Sequence, residues 1–150
     1  MENHDFFMSL AIEEAKKAEK FGEVPVGSIL VINNKIISSS FNSSIINNDP
    51  TAHAEINCIR SACKKLKNYR LNESVLYSTL EPCIMCFCAI INARVSKIVI
   101  GASTNMNKAS SINFYEQNKT KFNHHPKIIA GVMKKECSSK LKLFFKNKRI

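Results

Sequence analysis

Two short stretches constrain this chain more than anything else in it: "TAHAEI" at 51–56 and "LEPCIMC" at 80–86. The first sets a histidine and a carboxylate two residues apart. The second sets two cysteines three residues apart, just behind a proline. Each stretch stands where a helix is expected to begin, and Pro82 suits a first helical position. Cys83 and Cys86, at i and i+3, then share one helix face and can clamp a single ion. A helix N-terminus also lowers thiol pKa, favouring the thiolates a metal requires. His53 adds a third ligand from the other helix. Three protein ligands leave one zinc position open, as in catalytic sites, where the metal acidifies the water it holds. Glu55 is then the proton carrier and not a ligand. Residues i and i+2 diverge on a regular helix at about 3.6 residues per turn. His53 and Glu55 can therefore face one site only in the first turn, where the preceding "NNDPT" puts them.

Other uses of these residues fit less well. A lone CxxC often marks a redox pair or half of a structural zinc site. A four-ligand zinc would need Cys58 or Cys88, and both are rotated off the faces of the other ligands. A thioredoxin-like pair leaves the His-x-Glu unexplained. Cys58, Cys63, Cys88 and Cys137 read as small buried apolar residues. His124 and His125 stand in a polar loop, facing the surface or RNA and not forming a second metal site.

Around these motifs the chain alternates helical and strand-like patterns. Residues 5–20 form an amphipathic helix with Phe7, Leu10, Ala11, Ala15 and Ala18 on one stripe and Glu13 four before Lys17. "EVPVGSILVIN" and "IISSSFN" make a hairpin around "NNK". "SSIINNDP" is a polar loop, and a helix follows over about 52–66. "VLYSTL" is a strand, Pro82 to about Asn92 a helix, and "VSKIVIGA" a buried strand. Residues 103–126 are long, polar and poorly patterned. "KIIAGVM" is a short last strand, and a basic helix closes the chain at about 136–148. Strands separated by helices pair in parallel, whereas the first two pair antiparallel. The expectation is an α/β fold in one domain over 1–150, a mixed sheet with helices on both faces.

The 150 residues suit one domain, and 45% apolar residues suit a core that needs no disulfide staples. No stretch reaches the ~20 apolar residues of a membrane span. The start "MENHDFFMSL" lacks a basic signal-peptide opening, so a cytoplasmic location and six reduced cysteines are expected. The net charge of +10 suits a polyanionic partner. It equally suits a codon bias that enriches Lys, Ile and Asn together.

The combined H-x-E…P-C-x-x-C pattern marks the zinc nucleobase deaminases. With "EVPVG" (23–27), "DPTAHAEI" (49–56), "NYRL" (68–71), "LYSTLEPCIMC" (76–86), "GA" (101–102) and "ECSSKLKLFFKNKR" (136–149), the chain resembles the bacterial tRNA-specific adenosine deaminases of the cytidine deaminase superfamily. The resemblance implies a three-layer α/β/α cytidine deaminase-like fold on a central mixed five-stranded sheet. It implies one zinc on His53, Cys83 and Cys86, and Glu55 passing protons from the attacking water to the base and to the leaving ammonia. It implies adenine bound by Asn42, the backbone of Ala54 and Val24, and inosine as product at the anticodon wobble position. A homodimer and a tRNA anticodon stem-loop are the implied partners. The last helix carries seven basic residues and one acid over 134–149. Phe145, Lys146, Lys148 and Arg149 are the expected RNA contacts, with Phe144 more buried. Residues "STNMNKASSIN" depart from the family, which has an acid and a Gly-Ala-rich stretch there, with Lys108 a shifted match. A small-molecule deaminase of guanine, cytosine or cytidine would share the metal site but needs no basic aromatic helix. A non-catalytic zinc or RNA-binding subunit would not need Glu55.

Overall fold

The computed structural model describes residues 2–103 and 110–148. Helix α1 (His4–Lys20) is capped by Asn3, whose side chain accepts from the Phe6 amide. It leads to a hairpin of β1 (Gly27–Ile32) and β2 (Lys35–Phe41). Asn33 and Asn34 both adopt positive φ, which gives the tight turn the twist such hairpins need. A short α2 (Ser44–Asn47) precedes α3 (Ala54–Leu66), β3 (Ser74–Leu80), α4 (Ile84–Asn92) and β4 (Lys97–Ala102). Then come α5 (Ser111–Gln117), a 3-10 turn (Lys119–Lys121), β5 (Lys127–Ile129) and α6 (Lys134–Lys148).

The five strands form one mixed sheet in the order β2-β1-β3-β4-β5. β1 runs antiparallel to β2 and β3, while β3–β4 and β4–β5 are parallel. Strand alternation divides the core in two. Ile29, Val31, Tyr77 and Val99 face α1 and α6, packing on Phe7, Met8, Ala11, Cys137 and Leu141. Leu30, Leu76, Ile98 and Ile100 face the opposite layer, packing on Cys58, Ala62, Phe87, Ile90 and Tyr115. The expected sheet, with helices on both faces, is what the chain forms.

Several expectations need correction. "SSIINNDP" holds α2, and the 103–126 stretch holds α5 and a 3-10 turn. α5 sends only Ile112 and Tyr115 into the core and leaves Phe114 exposed, so its periodicity is too short to read. The last strand stops at Ile129, because Gly131 turns the chain at φ +84°. Val132 then rejoins the sheet by donating its amide to Ile100 O at 3.1 Å. In α1 the ion pairs are Glu13–Lys16 and Glu14–Lys17, three apart and not the four expected for Glu13 and Lys17. Cys58 and Cys137 are buried, but Cys63 and Cys88 are only half-buried. His125 is exposed as expected and bonds the Tyr115 hydroxyl, whereas half-buried His124 bonds Val95 O.

Two glycines let helices approach the sheet. A Cβ on Gly27 would lie 1.9 Å from Ala11 O, and one on Gly101 would lie 2.4 Å from Cys137 Sγ. The first obstacle is backbone and cannot move, whereas the nearest atom at Gly101 is a side chain, with the Thr79 carbonyl oxygen farther off at 2.9 Å. Gly27→Ala should therefore destabilise by more than the ~1–3 kcal/mol typical of overpacking. Gly101→Ala should cost less and be partly restored by Cys137→Ala. Urea midpoints of the three variants would check the order.

Candidate metal centre and active site

The site is built where two helices begin on the same face of the sheet. His53 is the N-cap of α3 and Cys83 the N-cap of α4, both with extended backbone (φ −72°, ψ 155° and φ −68°, ψ 171°). An N-cap side chain ordinarily accepts from its own helix amides. Neither residue does so here. Both side chains turn toward each other instead. Pro82 thus lies just before the cap of α4, not at its first helical position. There its fixed φ stiffens the approach of Cys83. Cys86 enters from the first turn of α4.

The loop before α3 is shaped by its own polar groups. Asp49 accepts from the amide and hydroxyl of Thr51 at 2.8 and 2.7 Å, an Asx turn that steers the chain into the helix. Those bonds hold the Asp49 carboxyl below its ordinary range. Asn57 Nδ2 reaches Phe41 O and Ser43 Oγ, tying α3 to the end of β2, where Asn42 stands.

His53 Nδ1 lies 3.6 Å from Cys83 Sγ and 3.3 Å from Cys86 Sγ. The three ligand atoms all fall within 4.8 Å of one another. Zinc–sulfur and zinc–nitrogen bonds of about 2.3 and 2.0–2.1 Å in a tetrahedron imply N···S edges of roughly 3.5 Å. One imidazole and two thiols therefore stand at the spacing of three corners of a zinc tetrahedron, and the cluster fits one zinc ion per chain. The Cys83 thiol is pulled down to about 5, chiefly by a hydrogen bond with Cys86 and further by His53. The same shared bond, together with burial, pushes Cys86 up.

Glu55 follows two residues later in the first turn of α3, 3% exposed. Burial raises its pKa above the usual carboxylate range. The Ser78 hydroxyl lies 3.4 Å from Oε1, and the Cys86 thiol and the Glu55 amide favour the charged form less than burial opposes it. A cavity of about 280 Å³ opens onto this group, lined by Val24, Val26, Asn42, His53, Glu55, Leu80, Glu81 and Cys83. Its size, near the lower end for small-molecule sites, suits one nucleobase and not a larger ligand. Val24 and Asn42 line the wall. Ala54 is fully buried at the first position of α3, where a backbone N–H has no acceptor within its own helix.

Sequence reasoning missed Val26, Leu80 and Glu81 in the wall, although all three lie inside the motifs quoted above. It also missed Glu23, whose buried carboxylate accepts from the Ile45 and Ile46 amides at 3.1 and 2.8 Å and holds α2 beside the site. The C-terminal residues stand apart from the cavity lining. Phe145 is 47% exposed, Lys146 and Lys148 are exposed, and Phe144 is half-buried beneath Lys148, whose Nζ sits 5.6 Å from its ring centroid. Arg149 and Lys108 lie outside the described residues.

In zinc-stripped protein, Cys83 should react with iodoacetamide down to about pH 5, where its thiolate is lost. Cys58, buried and pushed up to about 12, should stay inert at the same pH. Peptide mapping of the alkylated thiols from pH 4 to 8 would check this. Added zinc should protect Cys83.

A sequence model of the cytidine and deoxycytidylate deaminase zinc-binding region matches residues 1–102. A tRNA-specific adenosine deaminase of Buchnera aphidicola subsp. Baizongia pistaciae is 50% identical over 148 residues, covering 96% of this chain and 89% of its own. The tRNA-specific adenosine deaminase of Haemophilus influenzae is 46% identical over 143 residues, covering 95% and 83%. A solved structure from studies of A-to-I editing by tRNA:A34 deaminases superposes with a TM-score of 0.84 at 40% identity, over 91% of this chain and 99% of that one. With its cysteine and histidine ligands converging as they do in the fold, the chain belongs to the zinc-binding cytidine and deoxycytidylate deaminase family, on the branch of the tRNA-specific adenosine deaminases.

Proposed function

We propose that the chain hydrolyses adenosine to inosine at the wobble position of a tRNA anticodon. The observation that carries this reading is the convergence of His53, Cys83, Cys86 and the buried Glu55 on one nucleobase-sized cavity. It is supported by relatives named for tRNA-specific adenosine deamination. His53, Cys83 and Cys86 hold the metal. Zinc, when bound, acidifies water and so supplies a nucleophile near neutral pH. Two thiolates and a neutral imidazole leave such a centre formally neutral.

The chain's own residues do the rest. Asn42, Val24 and the Ala54 amide hold adenine with C6 toward the metal. Glu55 takes a proton from the attacking water and gives it to ring N1. It then passes the second proton to the amino group, which leaves as ammonia while oxygen stays on C6. A single carboxyl can serve both transfers if its pKa sits near the working pH. Burial moves Glu55 in that direction.

Phe145, Lys146, Lys148 and Arg149 are the proposed contacts to the tRNA, combining ring stacking with phosphate pairing. The exposed Ile84 and Met85, beside the cysteines, offer an apolar surface to a second copy in a homodimer. The cytoplasm is the proposed location. No helix among the described residues is long and apolar enough to cross a membrane.

Zinc-loaded protein should convert wobble adenosine in an anticodon stem-loop and leave free adenosine, cytidine, cytosine and guanine untouched. Turnover of a free base alone would replace the tRNA reading with a small-molecule one. Glu55→Ala should keep one zinc per chain and lose at least the ~10²–10⁴-fold that general acid–base catalysis supplies. Inosine formed at the wild-type rate would remove Glu55 from the mechanism.

A further inference from the structure

Glu81 has no part in the chemistry above, yet it is 4% exposed and lines the cavity. Its backbone amide donates to Ala102 O at 2.8 Å, at the last residue of β4. Its carboxylate Oε2 accepts from Ser110 Oγ at 2.8 Å, Ser111 Oγ at 3.3 Å and the Ile112 amide at 3.4 Å, at the start of α5. One residue therefore holds both the point where the chain leaves the sheet and the point where it enters the next helix. Glu81 itself lines the cavity, so both points are tied to its wall.

We infer that Glu81 is a positioning residue for the substrate, a staple that fixes the 110–112 segment as part of the rim around the target base. The substrate side of this inference rests on the tRNA reading above. The cavity takes one nucleobase, so nucleotides flanking the target must be met outside it, on the rim. A rim held by three hydrogen bonds to one buried carboxylate is set before RNA arrives. Charge-assisted bonds of this kind are stronger than neutral ones, and removing the acceptor leaves buried donors unpaired. Ser110 is also the N-cap of α5, accepting from the Asn113 amide at 3.3 Å, so its hydroxyl joins the helix start to Glu81.

The staple acts on binding and not on the metal or the proton carrier. Glu81→Ala in zinc-loaded protein should raise KM for the stem-loop about tenfold, the scale of a lost charge-assisted bond. Its kcat should change less than threefold (roughly the noise of such effects), and zinc content should stay at one per chain. Amide exchange at Ile112 and Asn113 should speed up by a similar factor. Glu81→Gln keeps a carbonyl acceptor and should restore part of both. If Glu81→Ala does not fold, Ser110→Ala with Ser111→Ala removes the hydroxyl bonds from the other side and should give the same KM and exchange changes. Adding Ser110→Ala to Glu81→Ala should raise KM no further. Unchanged exchange at Ile112 would overturn the staple, and so would a fall in kcat with loss of zinc or a multiplicative rise in KM. Wild-type protein inactive on the stem-loop would instead sink the tRNA reading, while the exchange comparison would still decide whether Glu81 holds the segment.

Discussion

Everything chemical in this molecule depends on two helices beginning at the same spot. α3 and α4 pack on one face of the sheet, and β3 runs between them in the chain. Their first residues bring His53 Nδ1 within 3.3 Å of Cys86 Sγ. Helix starts carry unpaired amides and partial positive charge, so two of them aimed at one point favour thiolate over thiol. The usual occupant of an N-cap, a small side chain bonded to its own helix, is replaced at both places by a metal-ligand type. The loss of a cap at each end, on the order of 1 kcal/mol, is offset when the ligand set binds zinc, since metal binding contributes directly to folding.

That convergence needs a sheet that does not shift beneath it. The opposite layer supplies this by close helix approach. α1 crosses β1 at Gly27, and α6 crosses β4 at Gly101, where any Cβ would strike Ala11 O or Cys137 Sγ. Helices seated this tightly hold β1 and β4 in register with β3. β3 in turn ends at Leu80, directly before the segment that carries Glu81, Pro82 and Cys83. Thr79 ties β3 to β1 further, its hydroxyl accepting from the Gly27 amide at 3.1 Å.

The parts of this arrangement legible in the sequence are those whose chemistry restricts residue type. His-x-Glu and Cys-x-x-Cys at helix starts leave few uses, and the prediction that His53 and Glu55 share a first turn matches an N-cap at His53. Long periodic elements such as α1 and β4 were also readable. α2 and α5, with four and seven residues, were not, because they are held by tertiary bonds and carry almost no stripe of their own. Glu23 and Glu81 were invisible for a related reason. A glutamate in isolation reads as surface, and their partners lie 22 to 31 residues away along the chain. Asn42 and Val24 came from family resemblance, since a strand-end asparagine and a strand valine have ordinary structural uses.

Two buried glutamates, Glu55 and Glu81, line the cavity and a third, Glu23, precedes its wall residue Val24, and the difference among them separates structure from chemistry. Glu23 meets two backbone amides, and Glu81 meets two hydroxyls and an amide. Both carboxylates accept from two or three N–H or O–H donors and act as struts. Glu55 is as buried as they are, yet the Ser78 hydroxyl stands 3.4 Å away and the Cys86 thiol and its own amide offset its burial only in part. A carboxyl taken out of water without donors favours its protonated form. The same desolvation that the two struts answer with hydrogen bonds outweighs them at Glu55. A proton can therefore reside on Glu55 at pH values where an exposed carboxylate would be bare. The fold thus assigns roles to three identical side chains by how many N–H and O–H groups it aims at each.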